Sequence, residues 1–156
     1  MASAASSDSV DNQESSLESL NICSYNLHGF TQALPFLQFL CNRHKPPQVI
    51  MIQESWLTPS NLYKINNFSP NYTSFGISAM ESAVSKGILR GRPFGGCHML
   101  VQSSLCKFVS HIVCKQRFVV LVYKNLVLLN VYLPTVVDDE DECRLVDLLT
   151  AIQKRH

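Results

Sequence analysis

Apolar and polar residues alternate along residues 20–26 (LNICSYN), the period of a half-buried β-strand, and the pattern stops at Asn26-Leu27-His28-Gly29. Gly29 supplies a sharp turn, Thr31 is placed to cap a helix over about residues 32–43, and Pro35 falls near the helix start, where proline is tolerated. Leu34, Leu37, Leu40 and Cys41, with Phe39 off the spacing, make its apolar face, and Pro46-Pro47 ends it. Val49-Ile50-Met51-Ile52 is apolar at every position, the pattern of a buried strand. Strand, helix and strand joined this closely predict a crossover unit with adjacent parallel strands. Asn26 and Glu54 then both stand at carboxyl ends and face one crevice.

Residues 56–71 read as loop or short helix, 72–77 as a strand, and 78–93, with Gly87, Gly91 and Pro93, as a mobile surface loop. Four strand-length segments follow at 94–101, 106–114, 117–123 and 126–133, separated by short turns, and Lys124-Asn125 fits a two-residue hairpin. The series predicts an antiparallel meander in which 126–129 is apolar enough to be central. Gly95-Gly96 permits a close backbone approach to a neighbour or a ligand. A helix from about 138 to 152 begins with acids, which suit its N-terminal dipole, and Leu145, Val146, Leu148, Leu149 and Ile152 form its apolar face. Residues 1–18 are Ser-rich and acidic with almost no bulky apolar residue, which predicts a disordered tail ahead of one domain over 19–156.

Composition narrows the class. The 46% hydrophobic content is that of a globular domain, and the chain has neither a membrane-length apolar run nor a basic-then-apolar signal segment. An intracellular protein, nuclear or cytoplasmic and not secreted, is expected. The six cysteines contain no C-x-x-C, so reduced thiols packed as small hydrophobes are expected. Cys97, His98, Cys106, His111 and Cys114 match no compact zinc spacing. The net charge of +1 hides an asymmetry: residues 43–124 hold ten Lys or Arg against Glu54 and Glu81, a local balance of +8. Such a surface suits a polyanion, although scattered basic residues are also an ordinary solvated face.

Glu54 is the residue out of place. It ends an apolar strand and is the only acid between Glu18 and Glu81. An unpaired buried carboxylate is costly, so it must be neutralised, paired or exposed at the strand end. One outcome is a ligand for a hard cation such as Mg²⁺, which takes one or two carboxylates with waters and phosphate oxygens. The other is a strand cap or an ordinary ion pair.

Ser24-Tyr25-Asn26-Leu27-His28-Gly29, Ile52-Gln53-Glu54-Ser55-Trp56-Leu57 and Leu129-Asn130-Val131-Tyr132-Leu133-Pro134, in that order, resemble the endonuclease/exonuclease/phosphatase family. Gly91-Arg92-Pro93-Phe94-Gly95-Gly96 is similar to the family's glycine-containing lead-in to its next strand. The likeness is nearest to the N-terminal half of the apurinic-endonuclease-like domain of non-LTR retrotransposons. The resemblance implies that Glu54 is the Mg²⁺ ligand, with Mn²⁺ as the alternative ion. It implies that Asn26 lies near metal and phosphate, and that the Tyr132 hydroxyl reaches the phosphate. His28 is at a variable position of its motif and receives no role; Arg92 is a weaker candidate for nucleic-acid contact.

Phosphodiester hydrolysis needs a cation, donors for the phosphate, and a base for water. The family's base aspartate, its Gly-Asp-x-Asn strand and its final Asp-His have no counterpart in this sequence. The expected fold is therefore α/β (α+β), half of a four-layer α/β/β/α sandwich. It consists of one mixed, mostly antiparallel sheet with helices on its outer face and the second half missing. The expected function is a fragment of a Mg²⁺-dependent, DNA-nicking endonuclease, inactive alone. The alternatives are a phosphatase or exonuclease of the same fold, or a non-catalytic remnant that binds nucleic acid or dimerises. DNA is the expected partner of a completed domain, no membrane is expected, and the inner sheet face, around Val127 and Leu129, is expected to lack its cover and to drive self-association.

Overall fold

The computed structural model describes residues 19–87, 91–133, 146–147 and 150. The expected disordered tail at 1–18 lies outside the described residues, as does nearly all of the helix expected at 138–152. In chain order the long elements are β1 (Ile22–Asn26), α1 (Phe30–Cys41), β2 (Val49–Gln53), α2 (Tyr63–Asn66), β3 (Tyr72–Gly76), α3 (Glu81–Ser85), β4 (His98–Gln102), β5 (Val109–Cys114), β6 (Phe118–Tyr123) and β7 (Leu126–Val131). 3₁₀ segments occupy Pro59–Asn61 and Ser103–Phe108.

The class is mixed α/β, as expected, but the strands form two sheets rather than one. The first has the order β1-β2-β4-β3 and the second β5-β6-β7. β1 and β2 are parallel, with Asn26 opposite Gln53, as a crossover through α1 requires. β4 lies antiparallel between β2 and β3. The expected four-stranded meander is thus three-stranded. His98, Met99, Leu100 and Val101 are buried on both faces of β4, which demands a central place in a covered sheet. The 3₁₀ turn after β4 then redirects the chain into another layer before β5 begins. Within that layer β6 is central, with Val119 and Leu121 fully buried, and β7 is the edge. The hairpin at Lys124-Asn125 is present, with Tyr123 opposite Leu126 and Lys124 at φ 52°.

Two apolar layers follow from strand alternation. On one face, Ile50, Ile52 and Leu100 pack with Phe30, Ala33 and Leu37 of α1 and Ile65 of α2. On the other, Val49, Met99 and Val101 pack with Val119, Leu121 and Leu128 of the second sheet. The face of the first sheet that carries Val49, Met99 and Val101 is therefore covered by β5-β6-β7. Val127 and Leu129, around which the sequence predicts a lack of cover, are half-buried on the other side of β7 from Leu128. Each fully buried Leu or Ile in these layers contributes about 1.5–3 kcal/mol of transfer free energy.

Local details also depart from the pattern. α1 starts two residues early, at Phe30, and its N-cap is Gly29 at φ 107° with no side-chain cap, so Thr31 lies inside the helix. Residues expected as a loop before Gly91 include the short helix α3. No helix among the described residues is long and apolar enough to cross a membrane. Cys23, Cys41, Cys97, Cys106 and Cys114 are free thiols.

Candidate functional site

The parallel pairing of β1 and β2 brings their carboxyl ends side by side, and the backbone beyond them is knitted together. Leu27 N–H donates to Gln53 O at 2.9 Å, Gly29 N–H to Glu54 O at 2.9 Å, and Phe30 N–H to Ser55 O at 2.8 Å. Because β4 runs antiparallel to β2, its lead-in arrives at the same edge, where Ser55 N–H donates to Gly96 O and Trp56 N–H to Gly95 O. This lacing holds His28, Glu54 and Trp56 at φ between 47° and 55°, a region costly for non-glycine residues. A residue held this way costs about 1–3 kcal/mol, and such outliers gather at functional sites.

Glu54 is the centre of the cluster. Asn26 Nδ2 donates to its Oε1 at 2.9 Å, and His28 Nδ1 lies 3.2 Å from its Oε2. The Tyr132 hydroxyl, just past the end of β7, is near the same carboxylate and favours its charged form. Burial by itself raises the Glu54 carboxyl, but the Asn26 amide, the Tyr132 hydroxyl and the His28 ring together outweigh it, and the net shift is downward. The reverse holds at Tyr132, where burial and the Glu54 charge push the phenol up. The carboxylate is held ionised, with 14% of its side chain open to solvent.

Asn26, Glu54 and Tyr132 are brought together by the fold. The Asn26 amide is oriented by its neighbours: Oδ1 accepts the His28 N–H at 3.1 Å, which leaves Nδ2 facing Glu54. Arg92 is placed over Trp56 rather than on this carboxylate, its guanidinium 5.7 Å from the centroid of the ring. The two residues wall a cleft of about 190 Å³ together with Gly29, Thr31 and Gln32.

The sequence left out several members. His28 touches the carboxylate directly, and only its place two residues after Asn26 hinted at it. Asn130 is buried and bridges the sheets, donating to Ile52 O at 2.8 Å and His98 O at 2.9 Å and accepting from the Gln53 amide. His98 is fully buried, with Nε2 3.1 Å from Ser55 Oγ, and burial pushes its imidazole down to about 4. Among the described residues no group of three or more His, Cys, Asp or Glu is placed to hold a metal ion. A site with a single carboxylate still suits Mg²⁺, whose remaining positions are taken by waters and phosphate oxygens.

No family model matches the chain, and no curated protein matches it. Solved structures do. A 3′ phosphatase, NExo, from Neisseria, bound to a product DNA hairpin, matches with TM-score 0.54 and 14% identity over 73% of this chain and 41% of that one. The 3′-5′ exonuclease NExo from Neisseria meningitidis gives TM-score 0.53 and 14% identity over 72% and 41%. An AP endonuclease from Archaeoglobus fulgidus gives TM-score 0.50 and 12% identity over 78% and 44%. The chain spans less than half the length of each of these proteins, and at such identities the match concerns the fold. In fold, this chain resembles the exonuclease/endonuclease/phosphatase superfamily and covers part of its AP-endonuclease- and exonuclease-like architecture.

Proposed function

We propose that this chain carries the metal-binding and phosphate-holding part of a Mg²⁺-dependent phosphodiester hydrolase. The observation behind this reading is the meeting of Asn26, Glu54 and Tyr132, from three distant segments, on one ionised carboxylate at a sheet edge. Glu54 offers the ion an oxygen ligand, and bound Mg²⁺ supplies neutralisation of charge on the phosphate oxygens and leaving group. Asn26 holds one carboxylate oxygen in place through its Nδ2. The Tyr132 hydroxyl, kept protonated by burial and by Glu54, is a donor for a phosphate oxygen. The roles these residues fill are binding and orientation, and deprotonation of the attacking water calls for a base besides them.

The matched structures are described as phosphatase, exonuclease and AP endonuclease, one of them with DNA bound, so the fold alone leaves the cleavage mode open. The wording of the three motifs favours DNA nicking of the retrotransposon type, with DNA as the partner. Calorimetric titration of the chain with Mn²⁺ and Mg²⁺ tests the reading. Saturable binding that Glu54→Gln abolishes is expected, with no Glu54-dependent nicking of supercoiled DNA by this chain alone. Equal metal binding by wild type and Glu54→Gln would sink the metal assignment, and Glu54-dependent nicking would show that the site is complete.

A further inference from the structure

The only tryptophan of the chain sits two residues beyond Glu54, in a conformation that is costly for an aromatic residue. Its φ of 55° is enforced by the bond from its N–H to Gly95 O at 3.0 Å. One side of the indole is packed so closely on Gly29 that a Cβ there would lie 2.8 Å from Trp56 Cε3. The His28 ring meets it edge-on with centroids 6.3 Å apart. The indole is thus fixed as a wall rather than tucked into a core: it remains partly exposed, and neither apolar layer includes it. Arg92 is exposed, stands over the ring, and pairs with no carboxylate among the described residues. The cleft they line is walled also by Gly29, Thr31 and Gln32, and the His28 ring at the edge of the indole is the one whose Nδ1 meets the Glu54 carboxylate.

An aromatic ring on a rigid backing with an unpaired guanidinium next to it matches the two surfaces of a nucleotide. Base stacking on an aromatic side chain contributes about 1–3 kcal/mol per base in any sequence, and arginine both stacks and holds phosphate. We infer that Trp56 and Arg92 form a nucleotide subsite beside Glu54. In it an unpaired base of the nucleic-acid strand stacks on the indole, and Arg92 moves from the ring to the adjoining phosphate. A single strand, not a duplex, is the occupant, because a paired base keeps its faces covered by its own neighbours. The inference rests on the phosphodiesterase reading above, yet it can fail separately from it.

The test uses the whole chain in EDTA, so that metal plays no part. A fluorescently labelled single-stranded deoxyoligonucleotide is titrated while its anisotropy and the Trp56 emission are recorded. Quenching of Trp56 that follows the anisotropy curve is expected. Trp56→Leu should weaken binding about tenfold, the loss of one stacked base. Trp56→Tyr, which keeps a ring, should restore most of the affinity. Arg92→Gln, on an exposed loop, should lower the slope of log affinity against log salt by about one. Binding without any change in Trp56 emission, a duplex that binds as well as the single strand, or no binding at all would each overturn the subsite. If the oligonucleotide binds through Trp56 but Mn²⁺ does not bind through Glu54, the metal reading falls and the subsite stands. The opposite pair of results leaves the metal reading and removes the subsite.

Discussion

His98 shows how much a single side chain is governed by its surroundings. It lies on β4 with no exposed surface, its Nδ1 has no hydrogen-bond partner, and Gly76 leaves space for the ring where a Cβ would collide with it. Burial holds the imidazole neutral down to about pH 4, against an ordinary value of 6.5. The unfolded chain takes up this proton between those values and the folded chain does not. Stability from the neutral ring is therefore complete above about pH 6.5, falls as the pH drops toward 4, and changes no further below that. The full span is roughly 3 kcal/mol. Urea midpoints of wild type and His98→Gln measured from pH 7 to pH 4 check this. The wild type should lose the larger share of its stability across the window, and parallel curves would show that the ring is solvated. The sequence held no sign of this role. A histidine opening an apolar strand reads equally as a ligand, a surface group or a core group, and only its depth in the fold separates the three.

At the scale of elements, Asn130 joins what hydrogen-bonded strand pairing keeps apart. β7 belongs to the second sheet, yet its Asn130 amide donates to backbone carbonyls of β2 and β4 in the first. Tyr132 follows two residues later, so this bridge also fixes where the Tyr132 hydroxyl arrives relative to Glu54. Asn130→Ala removes two buried amide bonds to carbonyls that the β2–β4 ladder also engages, at about 0.5–1.5 kcal/mol each. Gln53→Ala removes only one amide from a partly exposed position and should cost less. Chemical denaturation of the two variants should rank them in that order, and an Asn130→Ala chain as stable as wild type would mean the bridge carries no energy. The elements themselves were largely legible. Period-two and uninterrupted apolar runs marked β1, β2, β3, β6 and β7, and the short return after α1 gave the parallel pairing. The sheet to which β4 belongs was not legible, because an antiparallel neighbour can be the next strand or one 46 residues earlier, as Ile52 is to His98. Hydrophobic period carries no information on that choice.

For the whole molecule, the decisive feature is that β2 and β4 serve both apolar layers. Ile50 and Ile52 face α1 while Val49 faces the second sheet, and Leu100 and Val101 divide in the same way. A lesion in one layer should therefore loosen the other. Leu121→Ala, deep between the sheets, should cost about 2–5 kcal/mol, as truncation of a buried leucine does. Trp56 lies outside that layer and reports on the site. In urea its fluorescence and the far-ultraviolet circular dichroism should shift to the same lower midpoint. Two separate midpoints would show that the layers unfold independently and that the site does not depend on the second sheet.

By itself the sequence determined the mixed α/β class, the crossover unit that aligns β1 with β2, and the candidate residues Asn26, Glu54, Tyr132 and Arg92. The class and the crossover unit follow from local periodicity and turn chemistry, which are written in neighbouring residues, whereas the candidates follow from the resemblance of three ordered motifs to a known family. Only the tertiary structure decided that the strands form two facing sheets, that His28 touches the Glu54 carboxylate, and that Trp56 stands beside it under Arg92. Each of these depends on which distant segments share a sheet edge, and that is settled by the burial of whole faces against one another.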